Sequence, residues 1–461
     1  MNKPYVLRGW KHKTCALVNL KDCTSKAVDR TGFELLLLCD GETELDGYLR
    51  QHAMKARMDE YVKKGIIRIC EHAEPIHRLQ QYRKYDNCLM ESIQWSVTGR
   101  CNYKCRHCYM DAPDACTEDL ITKQCFSIID QMAECGVMRV SLTGGEPLIR
   151  RDLMQIIDHL NEKRILTDII YTNGWLVTDE LLDALEQRGL KPTFNMSYDG
   201  LGCHDWMRGV SGAENAVRDA IRRCVSHGFP INISVCLHKG NQAVLRDTVS
   251  YLASAGVNSI KISGVDRTAL WRKNAEDNDM DIREYMDAVL AYIPYFFMDG
   301  MPVDLMLCSA VQLYKGKTEY DCIPCRCDGT DKADKVHLCG AFRSEGYIAP
   351  DGRMVPCMPM LDSDQLDGFP NILETGLKAA LSDSFYMDYI SSRISDLMEH
   401  NAECRDCPYV RKCCAGCRAN ALLGPDHDLW APDRNLCILW KEGYVDRIMQ
   451  VTEQAIRDYV K

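Results

Sequence analysis

The stretch Ile93-Gln94-Trp95-Ser96-Val97-Thr98-Gly99-Arg100-Cys101-Asn102-Tyr103-Lys104-Cys105-Arg106-His107-Cys108 passes from a short apolar run into a loop with three cysteines. The run has the length and bounds of a strand, and the pattern returns further on. Strands are predicted from Ile93 to Val97, Met138 to Leu142, Thr167 to Tyr171, Thr193 to Ser197, Ile231 to Cys236 and Ser259 to Ile262. An amphipathic stretch accompanies each, at about 30 residues per unit, as βα repeats require. One such helix presents Leu120, Ile121, Cys125, Ile128, Ile129 and Met132 on its apolar side and ends at Gly136; another runs from about Asp179 to Gly189. The class is therefore α/β. Six consecutive units are too few for a closed eightfold barrel and predict an open, partial (β/α)6 TIM-like barrel, with ligands at the C-terminal ends of the strands.

Working outward, the 461-residue chain is long enough for several domains, with 46% hydrophobic and 26% charged residues, as in soluble globular proteins. No apolar run approaches the roughly 18 residues of a membrane span, and the first residues lack a secretory signal, so a cytoplasmic protein is expected. In a reducing compartment 26 cysteines point to metal binding where they cluster. Cys125, Cys135, Cys224 and Cys236, scattered among predicted helices and strands, are expected in the core. A net charge of -10 argues against chain-wide nucleic-acid affinity, although residues 1–85 carry sixteen Lys and Arg against eleven acids.

The spacing Cys101-x3-Cys105-x2-Cys108 supplies three thiolates, which would leave one iron of a 4Fe-4S cluster open to an outside ligand. The alternative is a zinc site that recruits His107. After the second strand comes Thr143-Gly144-Gly145-Glu146-Pro147, where two glycines permit close backbone approach. Together these loops resemble the radical S-adenosylmethionine (SAM) superfamily. The resemblance implies that SAM chelates the open iron and that Gly144, Gly145 and Glu146 hold its amino group. It places Thr172 and Asn173 near the ribose, and it makes Ser197 and Arg208 further contacts, Arg208 toward the carboxylate. For Asn173 and Asp199 ordinary turn chemistry is the competing reading. The reaction implied is one-electron cleavage of SAM to a 5′-deoxyadenosyl radical that abstracts hydrogen from a substrate.

Farther on, twelve residues, Gly352 and four more residues separate Cys339 from Cys357, followed by Cys404-x2-Cys407-x5-Cys413-x3-Cys417 and Cys437. This pattern resembles the SPASM domain of peptide-modifying radical SAM enzymes and sulfatase-maturating enzymes; paired zinc knuckles are the alternative. By resemblance Cys404, Cys407, Cys413 and Cys437 hold one auxiliary 4Fe-4S cluster and Cys339, Cys357 and Cys417 another, making three clusters in all. The second set is one ligand short. Either Cys322, Cys325 or Cys327 supplies it, or the iron stays open to a substrate thiolate. Cys414 is expected to be a bystander. Loss of periodicity after about Met306 predicts a region held by metal rather than by a large apolar core.

The first segment predicts strands at Cys15 to Leu20 and Ala27 to Asp29, and helices at Gly32 to Cys39, Glu42 to His52 and Met58 to Lys64. It resembles the winged-helix-like recognition element that binds leader sequences of ribosomally made peptides. An exposed strand edge there would pair with an extended leader by β-addition; a structural cap and a DNA-binding winged helix are the alternatives. The expected divisions are 1–85 for this module, 90–305 for the partial barrel, 306–439 for the SPASM domain and 440–461 for a closing helix. The combined expectation is a peptide maturase served by flavodoxin or ferredoxin, installing an oxidative crosslink and first of all a Cys thioether. A carbon-carbon crosslink, epimerisation or formylglycine formation are the alternatives from the same machinery. An iron-sulfur DNA-binding regulator is the alternative of another class. No residue is identified as general base or hydrogen donor.

Overall fold

The computed structural model describes residues 1–21, 24–50, 52–110, 119–266, 268–362, 368–382 and 384–460. Its strands form two sheets. The first holds β1 (Tyr5–Trp10), β2 (Lys13–Asn19), β3 (Thr24–Ala27) and β4 (Arg83–Lys84) in the order β3-β2-β1-β4. The second is the large sheet. It contains β5 (Ser92–Ser96), β6 (Arg139–Thr143), β7 (Leu166–Thr172), β8 (Thr193–Ser197), β9 (Ile231–Leu237), β10 (Ser259–Gly264), β11 (Asp304–Leu307), β12 (Val311–Leu313), β13 (Tyr320–Cys322), β14 (Glu345–Ile348) and β15 (Met354–Val355). Their order is β13-β12-β11-β10-β9-β8-β7-β6-β5-β14-β15.

The six predicted strands are β5 to β10, adjacent in sequence order and parallel throughout. Helices between them bury apolar stripes on the outer face, for instance Cys125, Ile128, Ile129, Met132 and Cys135 of Thr122–Cys135, which ends on left-handed Gly136 at φ 76°. The sheet is longer than the repeat count foretells. β11 continues it in parallel beyond β10, and β14 adds in parallel beside β5, so chain from after the repeats covers both edges.

The outer and inner faces differ. Along β9, Ile231, Ile233, Val235 and Leu237 are buried toward the helices, while Asn232, Ser234 and Cys236 on the other side keep partial exposure. Neighbouring strands place Gln94, Tyr171, Asn195 and Lys261 on that same side, through the register Asn195↔Asn232 and Lys261↔Ser234. The lumen of this partial barrel is consequently polar, with Ser234 donating to Asn195 at 3.3 Å and Ser141 to Asp168 at 2.8 Å. Of the four cysteines expected in the core, Cys125, Cys135 and Cys224 are buried there; Cys236 faces the lumen instead, because β9 alternates.

Two further expectations change. The region after Met306 has a large apolar core: Tyr347, Ile348, Met354, Tyr386, Ile390 and Leu439 belong to the cluster that fills the barrel wall. β14 carries this continuity, since a strand added to a sheet edge brings its buried face with it. In the first module, the helix expected over Glu42 to His52 does not form among the described residues 42–50. Asp40 instead accepts from the backbone N–H groups of Glu42 and Thr43, both at 2.8 Å, and Gly41 has φ 84°. Such an Asx turn competes with helix formation, and one helix forms later, at His52–Lys63. The first sheet rests on the N-terminal ends of β6 and β7, where Val6, Trp10, Val18 and Met138 share a cluster and Trp10 Nε1 donates to Cys135 O at 3.2 Å.

Candidate active site

The loop that follows β5 carries Cys101, Cys105 and Cys108, all half-buried. Its shape is set from two sides by backbone contacts. On one side Gly145 N donates to Thr98 O at 2.9 Å and Glu146 N to Arg100 O at 2.8 Å. On the other, Arg106 N donates to Met207 O at 2.9 Å, on the short helix His204–Arg208. A Cβ on Gly145 would lie 2.2 Å from Arg100 O, and one on Gly209 2.3 Å from Lys104 O. Both obstacles are backbone, so neither can swing away. Gly145→Ala is therefore expected to displace the three cysteines and lower the iron retained after anaerobic reconstitution, with circular dichroism little changed; unchanged iron would show that the loop tolerates the added methyl.

Asp119 completes the clamp. Its carboxylate accepts from Thr98 Oγ1 at 2.8 Å, Gly99 N at 3.1 Å and Arg100 Nε at 3.0 Å. No motif pointed to it.

Glu146 is fully buried and reaches across to β7, accepting from Thr172 Oγ1 at 2.9 Å, Asn173 N at 2.7 Å and Leu148 N at 3.1 Å. Burial pushes its carboxyl up to about 7, against the pull of these three donors. Asn173 then returns to the cysteine loop, its Nδ2 donating to Asn102 Oδ1 at 2.7 Å. Gly144, with φ 142°, lies against Thr98 O. Ser197 sits half-buried at the end of β8. The structure thus brings Gly144, Gly145, Glu146, Thr172 and Asn173 together around the cysteine loop, with Ser197 at a neighbouring strand end.

Arg208 is held beside the same loop. Its Nε and Nη2 donate to Asp199 at 2.7 and 3.1 Å, and Nη1 points at Cys105 Sγ, 3.8 Å away. Asp199 is completely buried and also accepts from Cys236 N at 3.1 Å. The guanidinium holds the Asp199 carboxyl well below the ordinary range despite burial, and Asp199 in turn raises Arg208. The Asp199 side chain has more than a turn to cap: it fixes a guanidinium whose Nη1 lies 3.8 Å from Cys105 Sγ.

The later cysteines gather in two places. Cys404, Cys407, Cys413 and Cys437 all line one pocket, with Tyr409, Leu436 and Trp440. Cys357 is pushed up by burial first and then by the nearby Cys417 and Cys339. Asp433 joins the two groups: it accepts from Cys417 N at 2.8 Å and from Asn435 N at 3.1 Å, capping the helix Arg434–Lys441 that presents Cys437. A zinc at about 2.3 Å from each thiolate would draw its sulfurs to about 3.8 Å of one another. Among the described residues no three cysteine sulfurs lie within 4.8 Å of each other. Cys327 is bonded to Cys414, while Cys322 and Cys325 lie together at the sheet edge. Asp266, two residues past β10, is close enough for its charge to bear on Cys357, Cys236 and Cys308. Asp266 thus lies between the Cys357 side and the lumen-facing Cys236.

Residues 95–252 match the radical SAM superfamily. Over 151 residues the chain is 33% identical to the Fe-coproporphyrin III synthase of Methanosarcina barkeri, spanning 32% of this chain but only 37% of that protein. A longer likeness, 25% identity over 341 residues, is to the PqqA peptide cyclase of Granulibacter bethesdensis and covers 73% of this chain and 84% of that one. Among solved structures, Streptococcus suis SuiB bound to precursor peptide SuiA superposes with a TM-score of 0.68 at 15% identity, over 95% of this chain and 99% of that one. No helix among the described residues is long and apolar enough to cross a membrane. A three-cysteine loop after the first strand of a parallel (β/α) sheet, clamped by the Gly144 to Glu146 turn within the matched residues, places a radical SAM domain at the centre of this chain.

Proposed function

We propose that this enzyme modifies a ribosomally made precursor peptide, forming an oxidative crosslink in it, with a thioether from a Cys sulfur as the first choice. The observation that carries the reading is the polar lumen, with the Cys101, Cys105 and Cys108 loop at the mouth formed by the C-terminal ends of the strands. In this reading Cys101, Cys105 and Cys108 hold the 4Fe-4S cluster that supplies the electron for splitting SAM into methionine and a 5′-deoxyadenosyl radical. Backbone around Gly144 and Gly145, with Glu146 braced by Thr172 and Asn173, shapes the seat for the SAM amino group. Ser197 and Arg208 stand at the next strand ends for the rest of the molecule. The two later cysteine groups would hold auxiliary 4Fe-4S clusters, which would supply an acceptor for the electron lost when the bond closes, and flavodoxin or ferredoxin would supply the first electron.

Strand β3 supports a peptide substrate. Among the described residues it is the outer strand of its sheet, pairs with β2, and is mostly exposed. An outer strand of this kind suits β-addition of a leader. That strand belongs to a sheet at the N-terminal ends of β6 and β7, whereas the mouth is at the C-terminal ends. Five-residue strands at 3.3 Å per residue separate the two by roughly 17 Å, so at least about five residues must run between leader and modified position.

The test is anaerobic reconstitution with SAM, a reductant and the peptide encoded beside the gene, followed by mass spectrometry. Formation of 5′-deoxyadenosine together with a peptide two hydrogens lighter is expected. A peptide of unchanged mass with inverted stereochemistry would replace crosslinking by epimerisation. Turnover of a tetrapyrrole precursor but of no peptide would overturn the peptide reading.

A further inference from the structure

Cys322 and Cys325 lie outside both groups just described. β13 ends at Cys322, opposite Val311 at the outer edge of the large sheet, and the chain turns through Ile323 and Pro324 to Cys325. Cys325 N donates to Cys322 O at 3.0 Å, closing the turn, and Ile323 N ties it to Ala310 O at 2.9 Å. The two sulfurs are 3.5 Å apart. Cys325 is exposed and Cys322 half-buried. The charges that bear most on Cys322 are those of Cys325 and Asp446, from the closing helix. Cys327, two residues on, has its own partner in Cys414.

We propose that Cys322 and Cys325 form a self-contained thiol–disulfide couple, a modification site for low-molecular-weight disulfides, rather than ligands of a cluster. The Cys-x2-Cys spacing and a turn closed by Cys325 N on Cys322 O hold the sulfurs within reach of a bond without moving the strand. The exposed Cys325 thiolate attacks a small disulfide RS–SR and releases one RS⁻, leaving a mixed disulfide. Cys322 then gives up its proton and attacks the Cys325 sulfur, releasing the second RSH. The protein loses two protons and two electrons, and RS–SR is reduced to two thiols. Exposed disulfides of this kind are the labile ones, so the couple follows the surrounding thiol pool. Its state is passed on through the strap that follows, where Arg326 N donates to Lys412 O at 3.1 Å and Arg326 Nη1 to Gly416 O at 3.3 Å, beside Cys413 and Cys417.

The experiment uses the full-length, reconstituted enzyme, held anaerobically in mixtures of reduced and oxidised glutathione, then alkylated, digested and sequenced by tandem mass spectrometry. A Cys322–Cys325 bond forming as the oxidised fraction rises, with iron content unchanged, is expected. Cys322→Ser should trap a stable glutathione adduct on Cys325, whereas Cys325→Ser should leave the sheltered Cys322 with at least tenfold less adduct. Protection of both thiols in the loaded enzyme, with reactivity appearing only when iron is stripped, would make them cluster ligands and overturn the proposal. Separate adducts on both residues with no bond between them would overturn it as well.

Discussion

Replacing Arg208 by alanine is expected to destabilise the folded enzyme by about 3–5 kcal/mol, the usual result of removing one partner of a buried ion pair. Asp199 has no exposed surface, and its two strongest donors, at 2.7 and 3.1 Å, both come from Arg208. What remains is Cys236 N and the neighbouring His204, whose Nδ1 already accepts from Asp199 N at 3.0 Å. The pH dependence carries a sign. With Arg208 present, the Asp199 carboxyl is held below its unfolded value of about 3.9, so its stabilising contribution exists above that value and is lost only as pH falls into the acid range. Between pH 5 and 8 the parent is flat in this respect. Without the guanidinium, burial raises the carboxyl above its unfolded value, and the variant should lose stability as pH rises. Urea midpoints at pH 5 and pH 8, measured anaerobically on loaded protein, check both statements. A variant within about 1 kcal/mol of the parent at both pH values would show that the pair is not structural. The double replacement Asp199→Leu with Arg208→Met, which buries no charge, should recover much of the loss.

The second large effect concerns chemistry alone. Changing Cys101, Cys105 and Cys108 together to alanine should lower 5′-deoxyadenosine formation more than roughly a thousandfold, about 4 kcal/mol of barrier. The fold should survive. The loop is tied by backbone bonds to Thr98, Arg100 and Met207 and by the Asp119 carboxylate, none of which involves a sulfur. Iron should fall by one cluster's share while the two later cysteine groups keep theirs. Loss of all iron, or of the circular dichroism signal, would mean that the loop cysteines organise the fold itself.

Much of this site is legible in the residues. Six strands were placeable to within a residue or two because an apolar run flanked by amphipathic helices leaves few alternatives. Cys101, Cys105 and Cys108, with Gly144 to Glu146, stood out because tight turns and metal ligands demand particular residue types at particular intervals. Asp119 and Asp433 did not stand out. Each is a common acid in a common setting, and its role comes from where the chain crosses another segment: Asp119 against Thr98 and Gly99, Asp433 between Cys417 and the helix bearing Cys437. The polar lumen was within reach, since the alternation in Ile231 to Leu237 is plain once both faces of the strand are considered.

By itself the sequence determined the parallel βα core, the cysteine loop and the spacing of the later cysteines, all of which depend on local period or interval. The tertiary structure decided how far the sheet extends, that β14 docks beside β5 from more than 200 residues away, and that Cys236 faces the lumen. It also decided that Arg208 is locked to Asp199 with one nitrogen left toward Cys105, and that Cys322 and Cys325 keep to themselves. Pairings of this kind are chosen by which buried faces and charges meet after the chain closes on itself, and no short interval along the chain records that choice.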